Sequence, residues 1–169
     1  MSETNTVNER DAMALKQTRV MVKQDTEALS WRIQAKNHSL SGWAPSLGGD
    51  ADSGFRAVEL LLAALGLCMT DMTMAYCKTK GFPLRSISVE LEDHSALDPL
   101  RVDAIQVIMH LEGDLTDEQK DRIRSVATKH CKIKNTLAMN PKVDVVIRNH
   151  GVPDPNNDDT PTTDIKCAC

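Results

Sequence analysis

The sequence feature that most constrains the fold is an apolar run between Val58 and Ala75, which contains the segment ELLLAALGLCMTDMTMA. Glu59 and Asp71 are its only charged residues, and a helix that is apolar on nearly every face is expected to be buried on nearly every face. A membrane span requires about 20 consecutive apolar residues, and these two charges interrupt the run below that length. We therefore predict a buried central helix from Arg56 to Lys80 that ends at Gly81.

Chain length and charge set the next limits. The 169 residues fit one domain, which is too small to cover such a helix with its own elements, so we expect an obligate homodimer. We divide the chain into a loose N-terminal segment (1–17), a single domain (18–149) and an acidic, proline-containing tail (150–169). The net charge of -4 and the lack of basic runs argue against nucleic acid as a partner.

Alternating apolar and polar residues predict strands on both sides of the central helix. Upstream, Thr18–Lys23 and Ser30–Ile33 are expected to form a hairpin that turns at 24–27. Downstream, we expect a strand over 86–92, a polar turn over 93–99, and a strand over 101–111 with Ile105, Val107, Met109 and Leu111 as its inner row.

A second long helix is expected after these strands. Thr116 and Gln119 have the spacing of a capping box, which marks a helix start, and we expect this helix to run to about Cys131. Pro141 is expected to open a last strand, which would place Val143, Val145 and Ile147 on one face.

The five cysteines carry most of the chemical information. An odd number, with no basic-flanked apolar segment near the start, fits neither a disulfide-stapled secreted scaffold nor a signal peptide, so we expect a cytoplasmic protein. Cys77 is expected to be core packing, while Cys167 and Cys169 lack the further ligands of a zinc site, so we predict no metal and no cofactor. Cys68 and Cys131 are either inert core thiols or a working pair.

Three segments carry a family resemblance: VELLLAALGLCMTDM, KTKGFPLRSISVELE and KHCKIKNTLAMNPKVDVVI. Over Gly48 to Ile147 the chain resembles the OsmC/Ohr family, the osmotically inducible protein C and organic hydroperoxide resistance proteins. The resemblance implies an α+β fold with two long central helices, a curved sheet rich in antiparallel strands, and an intertwined homodimer. It also implies a thiol site at the dimer interface.

The resemblance further implies a thiol peroxidase of the organic hydroperoxide reductase type. Cys68 would be the attacking thiolate and Cys131 the resolving thiol, and a dithiol reductant would restore the pair. The methionine-rich, aliphatic composition suits a hydrophobic peroxide. The ionisable residues that we consider as support for the two thiols are Glu59, Asp71, His130 and Lys132.

Several positions depart from the family pattern. Val58 occupies the position of the usual glutamate, and Glu59 is rotated from it by about 100° on the helix. The N-terminal Gly-Gly-Arg segment has no match, so Arg19, Arg32 and Arg56 are candidates for an activating arginine by charge alone. These departures leave open an alternative, a non-enzymatic protein of the same fold that binds a small apolar or thiol-reactive ligand at the dimer interface.

Overall fold

A computed structural model describes residues 18–143 and 145. Among these residues, those up to Met139 belong to one compact unit, and the few from Asn140 onward belong to another. The N-terminal segment 1–17 and the acidic tail 150–169 lie outside the described residues, so the proposed division of the chain stays a prediction.

A three-stranded antiparallel sheet opens the described chain, in the order β1 (Met21–Asp25), β2 (Ser30–Ala35) and β3 (His38–Gly42). The predicted hairpin between β1 and β2 is confirmed, and Trp31 is aligned with a residue of each neighbouring strand. The turn predicted at 24–27 is wrong: it lies at 26–29, because β1 continues to Asp25, which pairs with Ser30. The third strand was not predicted, because its sequence HSLSG contains a single large apolar residue and shows no alternation.

The predicted central helix is confirmed as α1, Ala57–Lys80. It begins with a capping arrangement in which the backbone N–H of Arg56 donates to Glu59 Oε2 at 2.8 Å. It ends at Gly81, whose φ of +66° lies in the left-handed region that glycine adopts without a Cβ penalty. Both ends are therefore fixed by local signals in the sequence.

The expectation that α1 is buried on nearly every face is wrong for the single chain. Leu65, Met69, Thr73 and Cys77 are buried, but Leu67 on another face is 72% exposed. The reason is geometric: within the described residues, the strand Leu84–Leu97 and the helix Asp117–His130 pack on α1 and leave Leu67 uncovered. An apolar face of the helix therefore stays open.

Among the described residues, α1 is the one helix whose length and apolar composition would allow it to cross a membrane. Core helices of soluble proteins meet the same two criteria. Thr73 and Cys77 are 1% and 2% exposed within this chain, and α1 packs against both a sheet and a helix. These contacts favour a core helix.

A long two-stranded antiparallel sheet follows, formed by β4 (Leu84–Leu97) and β5 (Leu100–Gly113). The predicted inner row of β5 is confirmed as a half-buried row. The polar turn predicted over 93–99 is wrong, because Asp93 aligns with Ile105 and β4 continues to Leu97, so that the turn is only Asp98–Pro99. In this part of β4, His94 and Ser95 are exposed, whereas Asp93 is half-buried.

The second long helix, α2 (Asp117–His130), begins at the predicted capping box, where Gln119 N–H donates to Thr116 Oγ1 at 3.2 Å. A short helix not predicted from the sequence, α3 (Lys132–Ala138), follows directly after Cys131. The last strand predicted from Pro141 is absent from residues 141–143 and 145, which have no regular secondary structure. Its remaining positions, including Ile147, lie outside the described residues.

Candidate functional site

Cys68 on α1 and Cys131 between α2 and α3 meet in one apolar cluster. Both thiols are free, and the Cys68 side chain lies within hydrogen-bonding reach of Cys131. Cys131 is 0% exposed, whereas Cys68 is only half-buried. Two cysteines far apart in sequence thus form a thiol pair in which Cys68 is the accessible member.

Helical periodicity explains why each cysteine points toward the other. Cys68 follows Leu65 by three residues, so the two share the face of α1 that packs into the cluster. On α2, Ile123 and Ala127 are buried at a spacing of four, and Cys131 continues the same stripe just beyond the helix. The packing of α2 against α1 brings these two faces together.

Cys131 also starts α3. Its φ of -67° and ψ of 112° end the helical path of α2, and the backbone N–H of Lys134 donates to Cys131 Sγ at 3.4 Å. Burial raises the pKa of the Cys131 thiol, and the neighbouring Cys68 raises it further, although the N–H groups of Lys134 and Ile133 oppose this. At neutral pH Cys131 is therefore a neutral thiol that accepts a hydrogen bond at a helix start.

The surroundings of the pair are apolar. Leu65 and Met69 are its buried neighbours, and the partly buried side chains packed on this cluster are Leu91, Ile105, Val107 and Ile133. Gly66 of α1 lies against β4 so closely that an added Cβ would stand 2.8 Å from Leu91 Cδ1. This close approach lets Leu91 reach the thiol cluster.

The two acidic residues considered as support lie away from the pair or face solvent. Glu59 caps the start of α1, two and a half turns and about 13 Å along the helix axis from Cys68. Asp71 follows Cys68 by three residues, but its side chain is exposed. Within the described chain, α1 thus supplies no buried carboxylate to the thiols.

The two basic residues considered as support flank Cys131. His130 is the last residue of α2 and Lys132 is the first of α3, and both are exposed. Cys131 is buried between these two exposed side chains.

The arginine candidates make contacts elsewhere. Arg32 forms an ion pair with Asp25 in the three-stranded sheet. The guanidinium of Arg56 stacks over Trp43, with Cζ 4.9 Å from the ring centroid. Arg19 is exposed ahead of β1. No arginine is among the groups that set the pKa of the Cys131 thiol in this part of the chain.

Cys77 is 2% exposed, which confirms it as a core residue, and burial raises the pKa of its thiol. Cys167 and Cys169 lie outside the described residues. Over residues 18–143 and 145, no three side chains of His, Cys, Asp or Glu are grouped closely enough to hold a metal ion.

A groove of about 830 Å³ adjoins the thiol cluster, and sequence reasoning did not predict it. Leu65 and Met69 belong to both the groove and the cluster, so the groove and the thiol cluster share a boundary on α1. The spacing of Leu61 and Leu65 in the sequence gives the signal for one wall of it. The other residues that line the groove are Val102, Asp103, Ala104, Ile105, Val107, Thr128, Lys134, Leu137 and Ala138.

Solved structures share this architecture. An OsmC-like protein from Mycoplasma pneumoniae is similar with a TM-score of 0.64 at 13% identity, over 74% of this chain and 89% of that chain. An organic hydroperoxide resistance protein OsmC from Legionella pneumophila gives a TM-score of 0.57 at 14% identity, over 75% and 92%. The organic hydroperoxide resistance protein OhrB of Bacillus subtilis gives 0.55 at 13% identity, over 75% and 93%. At such identities these likenesses establish the α+β fold.

Sequence comparison supplies the family. No curated protein matches the chain. The family model for the OsmC-like protein matches residues 49–146, which is more than half of the chain and includes both Cys68 and Cys131. The chain therefore belongs to the OsmC family.

Proposed function

We propose that this protein is a thiol-dependent hydroperoxide reductase in which Cys68 attacks the peroxide and Cys131 resolves the product. The observation that carries the proposal is the contact between the half-buried Cys68 and the fully buried Cys131 in one apolar cluster. Two structurally similar proteins are named as organic hydroperoxide resistance proteins, which adds support.

The chemistry needs two sulfurs with different exposure. The Cys68 thiolate attacks one oxygen of the hydroperoxide, the O–O bond breaks, and the alcohol leaves with a proton, so that Cys68 becomes a sulfenic acid. The Cys131 sulfur then attacks the sulfenic sulfur, a disulfide forms and water leaves. A dithiol reductant returns two electrons to the disulfide. The half-exposed position of Cys68 suits attack on an incoming peroxide, and the buried Cys131 is protected from oxidation by solvent oxidants.

The proposal includes a homodimer. Leu67 and Met74 on the open face of α1 are 72% and 39% exposed, and a second copy would cover them. In the dimer, residues of the partner would complete the surroundings of Cys68. Sedimentation of the wild-type protein should give twice the chain mass, and Leu67→Glu should shift it to the mass of one chain.

The proposal also places the protein in the cytoplasm, where a dithiol reductant is available. A second candidate function is the binding of a small apolar or thiol-reactive ligand without turnover. The observations that favour it are the raised pKa of the Cys131 thiol and, among residues 18–143 and 145, the absence of an arginine from the groups that shift this pKa.

A single-turnover experiment tests the proposal and separates the two functions. One equivalent of cumene hydroperoxide is added to the fully reduced protein, and the expected result is one equivalent of alcohol with a Cys68–Cys131 disulfide in the peptide map. Cys77→Ser should give the same result, because Cys77 is core packing. Unconsumed hydroperoxide with both thiols still free would sink the proposal in favour of the binding function.

A further inference from the structure

We propose that Lys134 makes the groove beside the thiol pair selective for amphipathic monocarboxylates, with the carboxylate on its ammonium and the alkyl chain along α1. The proposal deepens the proposed function by naming the feature of the substrate that the groove selects. Its binding part can be tested without any turnover.

The groove has the size and the walls of a ligand site. Its volume of about 830 Å³ falls within the range of roughly 300–1,000 Å³ for small-molecule sites. The α1 wall is formed by Leu61, Leu65 and Met69, and the opposite wall includes Val102 and Ile105 of β5. Such walls suit an alkyl chain.

The charges on the groove favour an anionic head group. Its two charged lining residues are Asp103 and Lys134. Asp103 already pairs with Arg101 at 2.5 Å. No carboxylate among the described residues pairs with the ammonium of the half-buried Lys134. An ammonium held against apolar walls and lacking a counter-ion in this part of the chain gains from a carboxylate.

Lys134 also connects the groove to the thiol pair. Lys134 is one of the residues that line the groove, and its backbone N–H donates to Cys131 Sγ at 3.4 Å. Cys68 lies on the same face of α1 as Leu61 and Leu65, at a spacing of seven and three residues. A carboxylate anchored at Lys134 would therefore direct its alkyl chain along the face of α1 that carries the reactive sulfur.

Binding to the reduced, full-length protein tests the selectivity directly. Decanoate and 1-decanol have the same chain length and differ in the head group, so their dissociation constants can be compared by titration calorimetry. We expect decanoate to bind roughly tenfold more tightly than 1-decanol. Lys134→Met should remove this ratio, and Lys134→Arg should keep it. The control Lys129→Met removes an exposed ammonium near the end of α2 and should leave the ratio unchanged.

Three binding results would overturn the inference: equal affinity for the two compounds in the wild type, a ratio that survives in Lys134→Met, or no binding of decanoate at all. The last result would mean that another part of the assembled protein fills the groove. A circular dichroism melt of each variant shows whether the variant is folded. If Lys134→Met is unfolded, the ratio of the two dissociation constants in Lys134→Arg decides whether the inference holds.

A turnover experiment separates this inference from the proposed function. The substrates are a hydroperoxide of linoleic acid and the same hydroperoxide as its methyl ester. We expect kcat/KM to be roughly tenfold higher for the acid than for the ester, because the acid has the lower KM. In Lys134→Met, kcat/KM should be equal for the two substrates. Selective binding without turnover would contradict the proposed function and uphold the groove, whereas equal turnover of acid and ester would contradict the selectivity alone.

Discussion

Cys68 and Cys77 lie on the same helix and differ in what their sulfurs face. Cys77 is 2% exposed in the core. Cys68 is half-buried, and a second thiol lies within hydrogen-bonding reach of it. The comparison teaches that neither residue type nor position on an apolar helix distinguishes a packing thiol from one with a chemical partner. The neighbouring sulfur of Cys131 makes the difference, and it comes from another part of the chain.

The largest expected effect is the difference in hydroperoxide consumption between the Cys68→Ser and Cys77→Ser variants. Cys68→Ser should lower the steady-state rate of cumene hydroperoxide consumption, measured with dithiothreitol as reductant, by roughly a thousandfold or more, because a hydroxyl is a far weaker nucleophile. Cys77→Ser should leave the rate within about twofold, since that sulfur does not touch the thiol pair. Similar losses of rate in both variants would contradict the distinction between a reacting thiol at Cys68 and a packing thiol at Cys77.

A smaller effect is expected from the partner thiol. Cys131→Ser should still consume the first equivalent of hydroperoxide but lower sustained turnover by roughly tenfold to a hundredfold, because the sulfenic acid on Cys68 then has no resolving thiol. Mass spectrometry should show sulfinic acid accumulating on Cys68. A variant that turns over at the wild-type rate without overoxidation would show that Cys131 does not resolve.

For the free energy of unfolding, we expect the opposite order: the serine substitution at Cys77 should have the larger effect and that at Cys68 the smaller. Cys77→Ser places a hydroxyl in a site that is 2% exposed and should cost about 1–3 kcal/mol of unfolding free energy. Cys68→Ser, at a half-buried position, should cost less than about 1 kcal/mol. Urea denaturation measures both, and a larger loss in Cys68→Ser would contradict the burial difference.

The smallest expected effect is a pH dependence. The pKa values of the Cys77 and Cys131 thiols are raised by burial above the ordinary value of 9.0, so the unfolded chain loses these protons at lower pH than the folded one. Their contribution to stability is fully present below pH 9.0 and is lost as the pH rises from there through the folded pKa values.

The control for this pH effect is a double variant, Cys77→Ala with Cys131→Ala. Its unfolding free energy should fall less steeply above pH 9.0 than that of the wild type, since it lacks the two buried thiols. Identical slopes would show that the two buried thiols do not contribute.

Local signals predicted the helices well. The run from Val58 to Ala75, the glycine at 81 and the capping box at Thr116 act over a few residues, so α1 and the start of α2 could be read from the sequence. The strand β3 and the continuation of β4 through 93–97 were missed because hydrogen bonds to a neighbouring strand stabilise them, and their own sequences show no alternation of apolar and polar residues.

The candidate site was predictable only in part. The family resemblance selected Cys68 and Cys131, but their contact depends on how α2 packs on α1, which no spacing in the sequence reports. The signal that could have placed Cys131 in the core is the spacing of four residues from Ile123 through Ala127 to Cys131. Lys134 could not be singled out, because its importance depends on a groove formed by four separate elements.

The close approach at Gly66 has a mechanical consequence for the thiol pair. A methyl group at this position would meet Leu91 Cδ1 at 2.8 Å, and Leu91 is one of the side chains packed on the cluster. Because Gly66 has no side chain, the helix and the sheet can approach each other closely at this point. Gly66 sets the distance between α1 and β4, and therefore how closely Leu91 packs against the cluster that contains the two sulfurs. Position 66 has no functional group of its own, yet its lack of a side chain sets the packing around the thiol pair.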